Sequence, residues 1–316
     1  MSESTISPGG QGPVFGSAGQ AAEASAAAGL ELKVRSQWSY ARNRFIRHRL
    51  ALIGLAGLVI IFGAGFLATW VAPHPYDGFD AFHILQKPSW AYPMGTDELG
   101  RDELSRVIYG IRTSTEVGVV VAIVSTIIGV VFGAVAGYYG GWVDNVLMRI
   151  TDLFLTLPFL AILLTAAALL GTGNQLQITA LFIFFFWTGI ARIVRGVYLS
   201  LREKEYVEAA KASGAGDMRI MFRHILPNTL GPIVVNATLA VGTAILTEAA
   251  LSYLGFGLQP PAASLGLLIG AAQNFPFQWW LTIFPGVVIV LIVLCVNLVG
   301  DGLRDALDPT QRRMRA

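Results

Sequence analysis

Few residues in this chain are equipped for chemistry, and most of them sit together. Between two long apolar segments lies a polar run, 203–228, that carries Glu203, Lys204, Glu205, Glu208, Lys211, Asp217, Arg219 and Arg223. Mixed charge of this kind suits docking to another protein rather than bond-making. A second candidate is Glu248, an acid inside an apolar stretch. A charge at the centre of a bilayer costs roughly 2.5–3.5 kcal/mol on insertion scales, so Glu248 must face protein or a watery cavity. Two readings stay open for it: lining a path, or hydrogen-bonding a neighbouring helix. Asn236, on the same stretch, is the other candidate path residue. Catalytic and nucleotide-binding patterns are missing. There is no Gly-x-x-x-x-Gly-Lys-Ser/Thr loop, and the four histidines, His48, His74, His83 and His224, are dispersed. The reading is a non-enzymatic chain with no metal or cofactor of its own.

The elements that must hold these groups are membrane helices. Hydrophobic residues make up 54% of the 316, charged residues only 13%, and mean hydropathy is +0.60; a soluble chain carries about twice that charged share. A formal charge of +2 argues against a nucleic-acid partner. The lone Cys295 lies in an apolar segment and reads as a small core hydrophobe. Spanning needs about 20 apolar residues. Six segments meet that length: 50–72, 115–138, 152–171, 178–199, 229–251 and 279–300. The expected fold is therefore all-α and polytopic, with six transmembrane helices.

Basic residues orient the spans. Lys33, Arg35, Arg42, Arg44, Arg47 and Arg49 precede the first, and the 200–228 loop and the tail after 301 are also rich in Arg and Lys. The connections 171–178 and 255–278 on the other side carry neither. This pattern places both termini in the cytoplasm. The Gly-, Ala- and Ser-rich residues 1–34 are expected to be a disordered cytoplasmic tail without a signal-peptide pattern. A basic segment follows at 35–49, then a transmembrane domain over 50–310 and a short cytoplasmic tail over 311–316. Arg192 and Arg195, near the inner end of the fourth span, are expected to snorkel to headgroups. The outer segment 73–113 departs from the plain pattern. Over 97–111 its apolar spacing is helical and amphipathic, with Thr96 or Asp97 as N-cap, which predicts a helix along the outer membrane face or over the mouth of a pathway.

Within the polar run, Ala, Glu and Lys favour a short helix, Gly214 ends it and Pro227 restarts the chain. The spacing Glu208-Ala209-Ala210-x-x-x-Gly214, followed by Leu226-Pro227, resembles the EAA loop of ABC importer permeases. His224 stands where the broad family usually has Ile, as peptide-importer members often do. Glu248-Ala249-Ala250 repeats the triplet but has Leu254 where the glycine should be. Three further stretches resemble the second, C-type permease of the peptide-importer branch. They are Met94-Gly95-Thr96-Asp97-Glu98-Leu99-Gly100-Arg101-Asp102, Leu251-Ser252-Tyr253-Leu254-Gly255-Phe256-Gly257, and Trp279-Trp280 with Phe284-Pro285-Gly286. The branch's Trp after Ser264 is Leu265 here.

The resemblance covers roughly 35–310 and implies a type I importer permease fold in the bacterial plasma membrane. It implies that Glu205, Glu208, Ala209, Ala210, Gly214, Leu226 and Pro227 couple to a cytoplasmic ATPase. Arg101, Asp102 and Arg106 become candidates for docking an extracytoplasmic binding protein or forming an outer gate. Implied partners are a homologous permease, two ATPases that bind ATP and Mg, the binding protein, the lipid bilayer and a peptide substrate. Glutathione and nickel chelates are alternative substrates within the branch. A proton-coupled secondary transporter is the competing class; it would need mid-membrane ionisable relays, for which Glu248 alone qualifies.

Overall fold

The computed structural model describes residues 37–171 and 173–307. The expectations for 1–34 and 311–316 lie outside them. Residues from Ala41 onward form one compact unit; 37–40 fall with the N-terminal one. The described chain is helical, with two isolated β-bridges and no strand. In order, the helices are α1 (Gln37–Arg47), α2 (Arg49–Phe66), α3 (Ala68–Val71), α4 (Glu103–Tyr139), α5 (Gly141–Thr156), α6 (Phe159–Leu170) and α7 (Gln175–Leu201). There follow α8 (Glu205–Ala212), α9 (Asp217–Arg219), a π-helical turn (Ile220–Ile225), α10 (Leu226–Tyr253), α11 (Leu265–Ala272) and α12 (Trp279–Leu307).

Among the described residues, five helical stretches are long and apolar enough to cross a membrane, six if the bent pair α5–α6 counts as one. That pair is where the third expected span, 152–171, breaks: α5 and α6 meet at 84°. The cause is Pro158, which lacks an N–H and forces Leu157 into an extended conformation (φ −74°, ψ 139°).

The 97–111 expectation is also corrected. The helix starts at Glu103, capped by Asp102, whose Oδ2 accepts the Ser105 N–H at 2.9 Å, and it runs unbroken into the second span. At 37 residues α4 is about 55 Å long, well beyond the ~30 Å hydrocarbon core. Residues before it cannot join the helix. Asp97 Oδ1 accepts the backbone N–H of both Leu99 and Arg101, and Gly100 takes φ +72°, which closes a turn bridged between Thr96 and Asp102.

α4 is the central strut, and α7 is its nearest neighbour. Gly129, Gly133 and Gly137, four residues apart, put one bare face of α4 against α7. A Cβ on Gly133 would fall 2.4 Å from the Ala191 carbonyl oxygen; on Gly129 it would fall 2.7 Å from that of Trp187. Small residues at this spacing let backbones approach where no water drives helices together. Gly54 and Gly57 serve α2 in the same way, against Cys295 of α12, and Cys295 is the buried hydrophobe expected of it.

The two mid-chain arginines form ion pairs with α5. Arg195 grips Asp144 of α5 through Nε and Nη2, the latter at 2.6 Å from Oδ2, and Arg192 pairs with Asp152 of the same helix. These pairs bind α5 to α7 in antiparallel order.

Gly133→Leu should lower the unfolding free energy of the purified protein by at least about 1–3 kcal/mol, the usual cost of overpacking. Gly189→Ala, in an exposed part of α7 with nothing within 4 Å of the added carbon, should be neutral or stabilising by up to ~1 kcal/mol. Thermal melts of the two variants in detergent compare them directly.

Candidate functional site

α8 is anchored by one side and open on the other. Val207 is fully buried among Tyr198, Ile220, Met221 and Ile225, with Ala210, Ala215 and Leu226 packed around them. Glu205, Glu208, Ala209, Gly214 and Pro227 are exposed, and Ala210 and Leu226 half-buried. Both acids lie in the first turn, where the N-terminal end of the helix dipole favours negative charge. Gly214 ends the helix at φ +77°. Its N–H meets the Lys211 carbonyl at 2.9 Å, and the Ala215 N–H meets that of Ala210 at 3.1 Å. These are the two bonds of a Schellman cap.

Beyond the cap, the loop is tied down on both sides. Tyr138 of α4 donates to Asp217 Oδ1 at 2.7 Å, and Tyr198 of α7 donates to the Met221 carbonyl at 3.0 Å. The π-turn that follows has a local cause. Pro227 has no N–H for the Arg223 carbonyl, and the Leu226 N–H reaches back five residues to Met221. His224 lies inside this turn. From Asp217 to Tyr253 the backbone forms one continuous 37-residue span, which α8 meets through the short connection 213–216. Tyr206, Met218 and Phe222 add exposed apolar surface beside the acids. Partial burial raises the Tyr206 phenol above its ordinary value, so it stays neutral at physiological pH. The sequence reading passed over these three; their signal is apolar residues inside a charged loop.

Along α10, Asn236, Thr243 and Thr247 fall seven and four residues apart, which places them on one helical face. Thr243 is exposed, and Asn236 and Thr247 are half-buried. Each bonds back to its own helix: Asn236 Nδ2 to the Pro232 carbonyl at 2.8 Å, Thr243 to Leu239 at 3.2 Å, Thr247 to Thr243 at 2.8 Å. Near the α8 end this face opens into a cavity of about 540 Å³ lined by Ile193, Pro232, Asn236, Leu239, Arg304 and Leu307. Asn236 thus lies on an open polar face.

Glu248 does not. It is completely buried; Oε2 accepts from Ser114 of α4 and Oε1 from Ser252, each at 2.7 Å. Of its two readings, the structure gives the helix-to-helix hydrogen bond. Ser114 was invisible in the chain because it is 134 positions away, whereas Ser252 lies only four residues on.

The charged trio before α4 is likewise engaged internally. Asp97 Oδ2 accepts from Arg101 Nε at 2.6 Å and from Arg106 Nη1. Asp102 caps α4 and also accepts the Ser105 hydroxyl at 2.6 Å. Asp102 and Arg106 are buried, so in this conformation neither can meet a docked protein; only Arg101 keeps partial exposure. A buried guanidinium must be paired, and Asp97 fills that need. Trp280 of α12 closes the same corner, donating from Nε1 to the Thr96 carbonyl at 3.2 Å.

These features agree with what the chain is similar to. Residues 129–313 match the family described as binding-protein-dependent transport system inner membrane component. Residues 36–88 match the N-terminal TM domain of oligopeptide transport permease C. The oligopeptide transport system permease protein OppC of Mycobacterium tuberculosis is 41% identical over 276 residues, 86% of this chain and 94% of the relative. The dipeptide transport system permease protein DppC of Alkalihalophilus pseudofirmus is 39% identical over 278 residues, 88% of this chain and 91% of the relative. The glutathione transport system permease protein GsiD of Escherichia coli is 39% identical over 279 residues, 88% of this chain and 92% of the relative. The chain belongs to the binding-protein-dependent inner membrane permeases, as a multi-pass permease component of the ABC peptide-importer family.

Proposed function

We propose that this chain is one of two homologous permease subunits of an ATP-driven importer, and that it moves peptides across the bacterial plasma membrane by alternating access. The observation that carries the reading is α8: its apolar side is locked to a span while its acidic side is open. A cytoplasmic ATPase meets Glu205 and Glu208 there, and the Schellman cap with the π-turn passes its motion into α10. ATP and Mg are held by the two ATPases; the chain itself contributes no cofactor and no catalysis. Both termini and α8 are cytoplasmic, in keeping with the basic residues before α2 and in the 200–228 loop.

The polar face of α10 supports a path between this subunit and its partner permease. A span that leaves Thr243 exposed and Asn236 and Thr247 partly so presents groups that suit water or a passing solute better than lipid. Peptides fit the names of the relatives, which include oligopeptide, dipeptide and glutathione systems. An extracytoplasmic binding protein selects among them and delivers to the far end of the bundle. Substrate binding and ATP binding each bias a two-state equilibrium of the spans.

Glu208→Lys should leave the protein in the membrane and reduce peptide uptake at least tenfold. Its exposed position makes folding indifferent to the change, whereas a reversed charge opposes the ATPase surface. Uptake of radiolabelled peptides in a deletion strain complemented with the variant, alongside an immunoblot of the membrane fraction, measures both. Normal uptake would remove α8 from the mechanism. Gly214→Pro removes an N–H that the cap requires and forces a negative φ, so loss of uptake with retained membrane insertion is expected there too. Thr243→Cys in a Cys295→Ala background should react with a water-soluble maleimide in the assembled transporter; protection equal to that of a lipid-facing Val290→Cys would place the path elsewhere.

A further inference from the structure

The buried carboxylate of Glu248 is the one acid deep within a span that neither the coupling surface nor the polar face of α10 uses. We infer that Glu248 is a positioning residue that passes displacement of α10 on to α11 and the connection leading to it, at the end of the bundle far from α8. The inference rests on the reading of α8 as an ATPase contact.

Glu248 gathers three pieces of chain. Through Ser114 it reaches α4, and the same hydroxyl oxygen accepts the Leu265 N–H, the first of α11, at 3.4 Å. Through Ser252 it reaches the connection, since that oxygen accepts the Leu258 N–H at 3.2 Å. Each serine therefore donates to the carboxylate and accepts from a backbone amide. Ser264, the cap of α11, adds a third side-chain hydrogen bond to the carboxylate, and all four side chains are buried.

The surroundings show why a relay is needed. α11 also touches α10 directly: a Cβ on Gly266 would lie 2.3 Å from the Ala249 carbonyl oxygen, and one on Gly257 would strike Ser252. Such contacts transmit a push but nothing when helices separate, because dispersion decays within an ångström. Hydrogen bonds to a carboxylate resist separation as well as approach, and do so more strongly than neutral bonds. α11 is also a stiff passenger, with Ser264 capping its first turn through the Leu267 N–H at 3.2 Å. A shift that enters at α8 thus travels the length of α10 and meets, one turn before its end, the group that holds α11.

The test uses the full transporter, permease pair with both ATPases, in proteoliposomes. Ala262→Cys in a Cys295→Ala background reports on the connection by its rate of maleimide labelling, without nucleotide and after trapping with ATP and orthovanadate. With Glu248 intact the two rates should differ by at least about fivefold, the lower range of ordinary coupling. Glu248→Ala should bring the ratio to about one while vanadate-sensitive ATP hydrolysis persists. Glu248→Gln, which keeps one acceptor oxygen, should fall between. Should Glu248→Ala fail to accumulate, Ser114→Ala, which deletes a single hydroxyl, carries the same expectation of a reduced ratio. An unchanged ratio in these variants overturns the inference, as does a ratio of one with Glu248 present in a transporter that hydrolyses ATP. Absence of vanadate-sensitive hydrolysis from the assembled complex would instead overturn the reading of an ATP-driven importer.

Discussion

The close approach of α4 to α7 is the contact on which the rest of the bundle depends. Three glycines spaced by four bring one backbone within van der Waals distance of another, and that distance fixes where everything attached to the two helices must lie. Tyr138, at the end of α4, can reach Asp217 only because α4 passes so near; Tyr198, on α7, can reach Met221 for the same reason. The surface of α8 thus inherits its position from a seam deep inside the helical bundle. A single extra carbon in that seam would be felt at α8.

The same seam explains how a short polar helix of eight residues stays folded. Isolated helices of that length are unstable in water. α8 is held by a buried valine, a left-handed glycine cap and a continuous backbone link to a 28-residue helix. Its exposed acids are then free of structural duty. Separation of anchoring from contact is what an interface needs if it must bear load without unfolding.

Much of this was legible in the chain. Apolar runs announced the spans because each must satisfy its own backbone in lipid, and the EAA spacing announced α8 because Gly214 can sit only where a helix stops. Three things were illegible, each for a stated reason. The break at Pro158 was hidden inside a run whose composition is uniformly apolar. The start of α4 was misplaced because Asp97 and Asp102 are both competent caps, and only the tertiary pairing of Asp97 with Arg101 and Arg106 removes the first from consideration. The contact of Glu248 with α4 depended on Ser114, far away in sequence. Patterning reveals which face of a helix is buried, but not what an acid on that face will find there.

The ion pairs between α5 and α7 bear on how the protein is made. Synthesis delivers Asp152 and Asp144 forty and fifty-one residues ahead of Arg192 and Arg195. Both carboxylates therefore wait for partners that a later helix carries, and these pairs can tie α5 into the bundle only after α7 has been made.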